Sequence, residues 1–125
     1  MPPRVLIVDD SPLVRSLLRK CLESEPGWQV CGEAVNGREA IERAQAVHPN
    51  FIVLDLSMPV MNGLEAARIL SRLMPAVPMI IFTSFITLGL KQQALAAGVC
   101  RVIAKDGPLS DLILAVRSLM AADTA

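Results

Sequence analysis

Short unbroken apolar runs alternate with segments whose apolar residues recur every three or four positions, and this alternation continues along the whole chain. Val5-Leu6-Ile7-Val8 predicts a first strand over about Arg4 to Val8. Ser11 then serves as an N-cap with Pro12 at the first helical position, and Val14, Leu17, Leu18, Cys21 and Leu22 form a stripe that ends at Pro26-Gly27. Gln29 to Ala34 alternates only in part, which predicts a strand at a sheet edge. Asn36 followed by Glu39 reads as a capping box for a helix reaching about Val47.

His48-Pro49-Asn50 interrupts the chain before Phe51-Ile52-Val53-Leu54, whose continuous hydrophobicity marks a central strand covered on both faces. After the turn Met58-Pro59-Val60-Met61-Asn62-Gly63, a third helix runs to about Leu73 and buries Leu64, Ala67, Leu70 and Leu73 or their neighbours. A fourth strand covers Met79 to Phe82 and ends in Thr83-Ser84; a fourth helix covers about Leu88 to Ala97 and stops at Gly98. Arg101 to Ala104 is the fifth strand, ending at Lys105. Pro108 opens a last helix through about Ala121, with a buried stripe of Leu109, Leu112, Ile113, Val116 and Met120. Five strand and helix units of this kind predict an α/β fold, a doubly wound (βα)5 parallel sheet.

In such sheets ligands bind beyond the carboxyl ends of the strands. Asp9, Asp10, Asp55, Thr83 and Lys105 each follow an apolar strand, so all five fall on that side. Carboxylates brought together repel and resist desolvation, and an oxygen-seeking divalent cation compensates them. A carboxylate is also a competent nucleophile toward phosphorus, provided that a cation and a lysine offset the negative charge of both reactants. Asp9 and Asp10 suit the cation, Asp55 the attack, Lys105 the incoming group, and the Thr83 hydroxyl a phosphoryl oxygen. Any one of these residues alone reads as a turn or cap; their joint placement points to phosphoryl transfer.

Composition narrows the classes. The chain has 125 residues, 53% of them hydrophobic and 19% charged, which suits one domain with a tightly covered core. Formal net charge is zero without a Lys/Arg cluster, so neither nucleic-acid nor membrane-surface binding is expected of this segment. The uncharged window Leu73 to Leu90 contains Pro75, Pro78 and Gly89 with Thr83, Ser84 and Thr87, and predicts a strand and loop rather than a membrane span. Cys21, Cys31 and Cys100 are odd in number and widely spaced, as expected of reduced thiols used as small hydrophobes. The opening Met-Pro-Pro-Arg has no signal-peptide pattern, so a cytoplasmic location is expected. His48 is expected to cap or lie at the surface, Trp28 to pack across the first helix, and Met58 and Met61 to shape the loop beside Asp55.

The acidic pair in Val8-Asp9-Asp10-Ser11, the segment Leu54-Asp55-Leu56-Ser57-Met58-Pro59-Val60-Met61-Asn62-Gly63, Thr83-Ser84 after a strand, and Ala97-Gly98 through Lys105 together resemble the receiver domains of two-component response regulators. The resemblance covers essentially the whole chain, with residues 1–121 as the receiver and 122–125 as a tail or the start of a linker. It implies a flavodoxin-like, CheY-like sheet of order 2-1-3-4-5 and an acceptor role for Asp55 in phosphorelay signalling. Asp10 and Asp55 would bind Mg²⁺ directly, with Mn²⁺ an acceptable substitute; Asp9 would act through water, and the backbone carbonyl of Ser57 would add a ligand. Lys105 and Thr83 would read the phosphoryl group. The implied donor is a sensor histidine kinase or a phosphotransfer protein, the output partner is left open, and the segment is a signalling acceptor rather than an enzyme acting on outside substrates. Phosphorylation adds about −1.5 to −2 charges at one point. Two or three new charge-assisted hydrogen bonds, each on the order of 1.5 to 3 kcal/mol, approach the ~5.5 kcal/mol that moves an equilibrium from 1:99 to 99:1.

Three departures bear on the readout. Val102 stands where most relatives carry Tyr or Phe, so there is no ring to swing inward. Asp106 replaces the Pro common after the lysine, and Lys105-Asp106 is similar to the subgroup that precedes a helix-turn-helix output. Phe85, Ile86, Leu88 and Leu90, joined by Leu114, are apolar where polar residues are usual, which suggests a partner or homodimer surface on helix four, strand five and helix five. The competing readings are a degenerate receiver working as a phosphorylation-independent interaction module, an aspartate-nucleophile phosphatase, and a dinucleotide or flavin binder. The last lacks a glycine fingerprint after strand one, and the phosphatase lacks a second acid at Ser57.

Overall fold

The computed structural model describes residues 3–124, with side chains from 3 to 121. Five strands, β1 (Arg4–Val8), β2 (Gln29–Ala34), β3 (Phe51–Leu54), β4 (Met79–Thr83) and β5 (Arg101–Ala104), alternate with five helices, α1 (Pro12–Glu23), α2 (Gly37–Val47), α3 (Gly63–Leu73), α4 (Leu88–Ala96) and α5 (Leu109–Thr124). All pairings are parallel and the order is β2-β1-β3-β4-β5, with β3 central and β2 at an edge as expected.

Successive strand side chains point to opposite faces, and the core divides accordingly. Leu6, Val8, Ile52, Leu54, Met79 and Ile81 meet Ala40, Ala44, Ala66, Ala67, Leu70 and Ala94 of α2, α3 and α4. Val5, Ile7, Phe51, Val53, Ile80 and Phe82 meet Leu18, Leu22, Leu112 and Val116 of α1 and α5, where Trp28 also packs. The helices contribute mostly small alanines to this first face. On β2 the register shifts between Val5 and Leu6, leaving Cys31 without a register partner; this bulge explains the incomplete alternation.

Several expected details are corrected. Leu17 is exposed because Leu18 and Leu22, four residues apart, take the core-facing line of α1. Leu73, the last residue of α3, and Leu109, the first of α5, are exposed. Leu90, expected in an exposed patch, is buried: with Ala94 it forms the sheet-facing line of α4. Cys100 is exposed rather than packed. The box at Asn36 is only half made, with Asn36 accepting from the Glu39 N–H at 2.8 Å, while Asn62 and Glu65 form both halves at 2.9 and 3.1 Å. Helix α5 continues past Ala121 to Thr124, as the high helix propensity of alanine favours; Ala125, last of the expected tail, lies outside the described residues. His48 is the C-cap of α2 at φ 49°, and its carbonyl accepts from Arg4 at 3.0 Å. Among the described residues no helix is long and apolar enough to cross a membrane.

Candidate functional site

The parallel ladder runs one residue beyond the strands and sets the site's backbone. The Asp9 N–H donates to the Ala34 carbonyl at 3.0 Å, the Asp55 N–H to that of Val8 at 2.8 Å, and the Lys105 N–H to that of Thr83 at 2.8 Å. Asp9 and Asp55 thus project from adjacent strand tips, and Lys105 reaches toward them from β5. Oxygens of Asp9, Asp10 and Asp55 all lie within 4.8 Å of one another. Lys105 Nζ is 2.8 Å from Asp9 Oδ2 and 3.1 Å from Asp55 Oδ1. One ammonium against three carboxylates leaves the cluster anionic, and two of the acids are nearly sealed from water, Asp9 at 1% and Asp55 at 6% exposure. Asp10 is exposed and opens, with Leu56, Ser57, Met58, Pro59 and Asn62, onto a cleft of about 580 Å³.

Asp55 is pushed above its ordinary pKa by burial and then by the Asp9 charge, against the hydrogen bond and charge of Lys105. Burial works to lower Lys105, but the hydrogen bonds and charges of Asp9 and Asp55 outweigh it and raise its pKa. The two signs act in different pH windows. A carboxyl raised on folding binds its proton more tightly in the folded state, so stability is lost as pH rises from the unfolded value of about 4 through the folded one. The Lys105 contribution is present below about pH 10.4 and disappears only as pH rises through the folded value. In EDTA at neutral pH, Asp55→Asn therefore has a higher urea midpoint than wild type, and the gap narrows as pH falls through the acid range. Urea titrations at pH 3 to 8 check this.

The loop after Asp55 is shaped by close approach. The Gly63 N–H donates to the Leu56 carbonyl at 2.9 Å, and a Cβ at Gly63 would stand 2.2 Å from the Asp55 carbonyl oxygen. Gly37, first in α2, donates to the Met61 carbonyl at 2.8 Å, and its Cβ would stand 2.7 Å from that oxygen. Between these contacts Val60 takes φ 69° while the Met61 N–H donates to the Pro59 carbonyl at 2.7 Å, a strained γ-turn for a β-branched residue. Gly63 at the end of the Met58 to Gly63 turn and Gly37 of α2 against Met61 together let the turn lie against the acceptor candidate.

The structure brings together Asp9, Asp10, Asp55 and Lys105, as the strand-end argument expects. Thr83 is buried beside them on β4, paired in register with Ala104, and its side chain makes no hydrogen bond among the described residues. Ser57 is exposed at the cleft rim. Val102 is half-buried and packs against the α2–α4 face of the core. Phe85, Leu88 and Leu114 are exposed, Ile86 is half-buried, and Leu90 leaves the patch. Sequence reasoning missed Arg15, which donates to the Asp9 carbonyl; the signal was Arg15 and Arg19, four apart and flanking the apolar stripe of α1.

Comparison with known proteins agrees with this fold. A family model described as the response regulator receiver domain matches residues 5–117. A protein-glutamate methylesterase/protein-glutamine glutaminase of Methanosarcina acetivorans is 39% identical over 119 residues, 94% of this chain and 34% of that protein. The chain spans about a third or less of the curated relatives it matches, 28% of a second one from Treponema denticola. Among solved structures, a LuxR-family two-component response regulator from Aurantimonas sp. SI85-9A1 superposes with a TM-score of 0.93 at 30% identity, covering 98% of this chain and 87% of that one. The response regulator domain of Thermotoga maritima CheB gives 0.82 at 31% identity, covering 100% and 96%.

Proposed function

Because the chain belongs to the response regulator receiver domain family, a phosphoacceptor module of two-component phosphorelay signalling, we propose that Asp55 is its acceptor and that Asp9, Asp10 and Asp55 hold a Mg²⁺ ion. The observation that carries this reading is the meeting of three acids and one lysine at the strand tips, with nearly buried carboxylates and an anionic balance. The donor set fits the ion: carboxylate oxygens are the hard ligands that Mg²⁺ prefers, and the cleft beside Asp10 leaves room for the waters it keeps. The carbonyl of Ser57, a residue lining the cleft, is the additional ligand in this reading. Bound Mg²⁺ supplies positive charge that offsets repulsion between nucleophile and donor.

The chain's own residues do the rest. Lys105 holds Asp55 Oδ1, leaving Oδ2 unclaimed by any side chain among the described residues. A carboxylate oxygen of Asp55 attacks the phosphorus of a phosphohistidine on a kinase or phosphotransfer protein. The new P–O bond forms as the P–N bond breaks, and the imidazole departs with the electron pair. The acyl phosphate then draws Lys105 and the free hydroxyl of Thr83, two contacts available only after transfer. No outside substrate is turned over; the segment acts only in its own phosphorylation and dephosphorylation. Exposed Phe85, Leu88 and Leu114 form the apolar part of an output or dimer surface on α4, β5 and α5, and Val102 has no ring to carry the signal to that surface. The names of the curated relatives favour a methylesterase type of output region.

The test is incubation with acetyl phosphate and Mg²⁺ followed by intact mass measurement. Wild type gains one phosphoryl group; Asp55→Asn gains none, and EDTA abolishes the gain. Equal modification of both proteins would defeat the acceptor assignment.

A further inference from the structure

Asp10 differs from its two neighbours in how it is held. Asp9 is tied at both oxygens, by the Ser11 N–H at 2.9 Å and by Lys105, and Asp55 is tied by Lys105. Asp10 is exposed, and its carboxylate has no hydrogen bond or ion pair among the described residues. What is held instead is the peptide plane before it. Arg15 Nη1 donates to the Asp9 carbonyl oxygen at 2.8 Å, and Nε of the same guanidinium donates to Glu33 Oε1 at 2.9 Å. The other oxygen of Glu33 accepts from Arg19 at 3.0 and 2.7 Å. The Asp9 carbonyl belongs to the peptide that carries the nitrogen of Asp10, so turning that plane would swing the Asp10 carboxylate away from the cluster.

We infer that Arg15 is a positioning residue for cation binding: its planar fork, anchored by Glu33 on β2, locks the Asp9–Asp10 peptide so that Asp10 meets Asp9 and Asp55. The inference rests on the reading that these acids hold Mg²⁺. Charge alone has the opposite sign, because deleting a cation near a site for a dication strengthens binding. A role confined to tying α1 to β2 would alter stability and leave the affinity of the folded protein unchanged.

The test is calorimetric titration with MgCl₂ of wild type, Arg15→Met, Arg15→Lys, Asp10→Asn and the Asp10→Asn/Arg15→Met double variant, each verified as folded by circular dichroism. Outer-shell partners of metal ligands are worth about 10- to 100-fold in affinity, and Arg15→Met is expected to weaken Mg²⁺ about tenfold. Arg15→Lys weakens it comparably, since an ammonium is a point donor that cannot span the Asp9 carbonyl and Glu33. In the Asp10→Asn background the Arg15→Met change has little further effect. Unchanged or tighter binding by Arg15→Met, wild-type affinity in Arg15→Lys, or an undiminished loss in the Asp10→Asn background would each overturn the inference. Should Arg15→Met not fold, Glu33→Ala releases the anchor and is expected to weaken Mg²⁺ several-fold, with wild-type affinity overturning the inference. Wild type taking up no Mg²⁺ would defeat the metal reading itself, and this inference with it, a result distinct from wild type and variant binding equally.

Discussion

Lys105→Met is expected to destabilise the metal-free protein by about 3 kcal/mol and to regain much of that loss when Mg²⁺ is added. Lys105 is the ammonium that faces both Asp9 and Asp55, and Met keeps the length of its stem while removing the charge. Removing one partner of a buried ion pair typically costs about 3 to 5 kcal/mol, because the other charge remains buried and uncompensated. The lower end applies here, since the lysine is still 19% exposed at its side chain and water softens the interaction. A divalent cation opposes the same carboxylates, so linkage predicts a steeper rise of the urea midpoint with Mg²⁺ in the variant than in wild type. Urea unfolding in EDTA and across a Mg²⁺ series provides the check. An equal Mg²⁺ dependence in both proteins would show that the lysine and the metal do not share those charges.

Gly63→Ala is expected to cost about 3 kcal/mol and to lose both Mg²⁺ uptake and phosphorylation. The added methyl would meet the carbonyl oxygen of Asp55 at 2.2 Å, with the Asp55 carbonyl carbon at 3.1 Å and the Leu56 Cα at 3.2 Å. These are backbone atoms of the Asp55–Leu56 segment, so no side-chain rotation can relieve the clash. Relief requires α3 to retreat from Asp55 or Asp55 to leave its strand tip, and either breaks the Gly63 N–H bond to Leu56. Ala is the better helix former, so propensity alone predicts stabilisation. A urea midpoint at or above that of wild type, with normal phosphorylation by intact mass, would exclude the close approach. Gly89→Ala is the matched control: its nearest contact would be Thr87 Oγ1 at 3.8 Å, and stability should hold or rise.

The elements legible in the sequence are those where one local rule decides. Ser11-Pro12 starts α1, the unbroken run Phe51 to Leu54 occupies the middle of the sheet, and the polar residues at strand ends gather on one side. Misreadings came where several apolar residues competed for one face. Leu17 against Leu18 is a choice between positions about 100° apart on a helix, and only the direction of the sheet decides it. Leu90 looked like part of a surface patch because composition does not reveal which side of α4 meets β5. Asn36 and Asn62 carry the same spacing to a glutamate, and only the second completes the reciprocal bond.

The sequence by itself determined the class of chemistry, because a run of apolar residues ending in Asp or Lys dictates both a buried strand and a polar group at its tip. Strand direction and strand end are local properties, written in consecutive residues. Tertiary structure decided the distances that make those groups one site: Lys105 on both Asp9 and Asp55, Gly63 against the Asp55 carbonyl, and Arg15 braced between the Asp9 carbonyl and Glu33. Each of these contacts joins segments that the chain separates and the twist and register of the sheet bring together. No local pattern encodes such a distance, since it depends on how every intervening element packs.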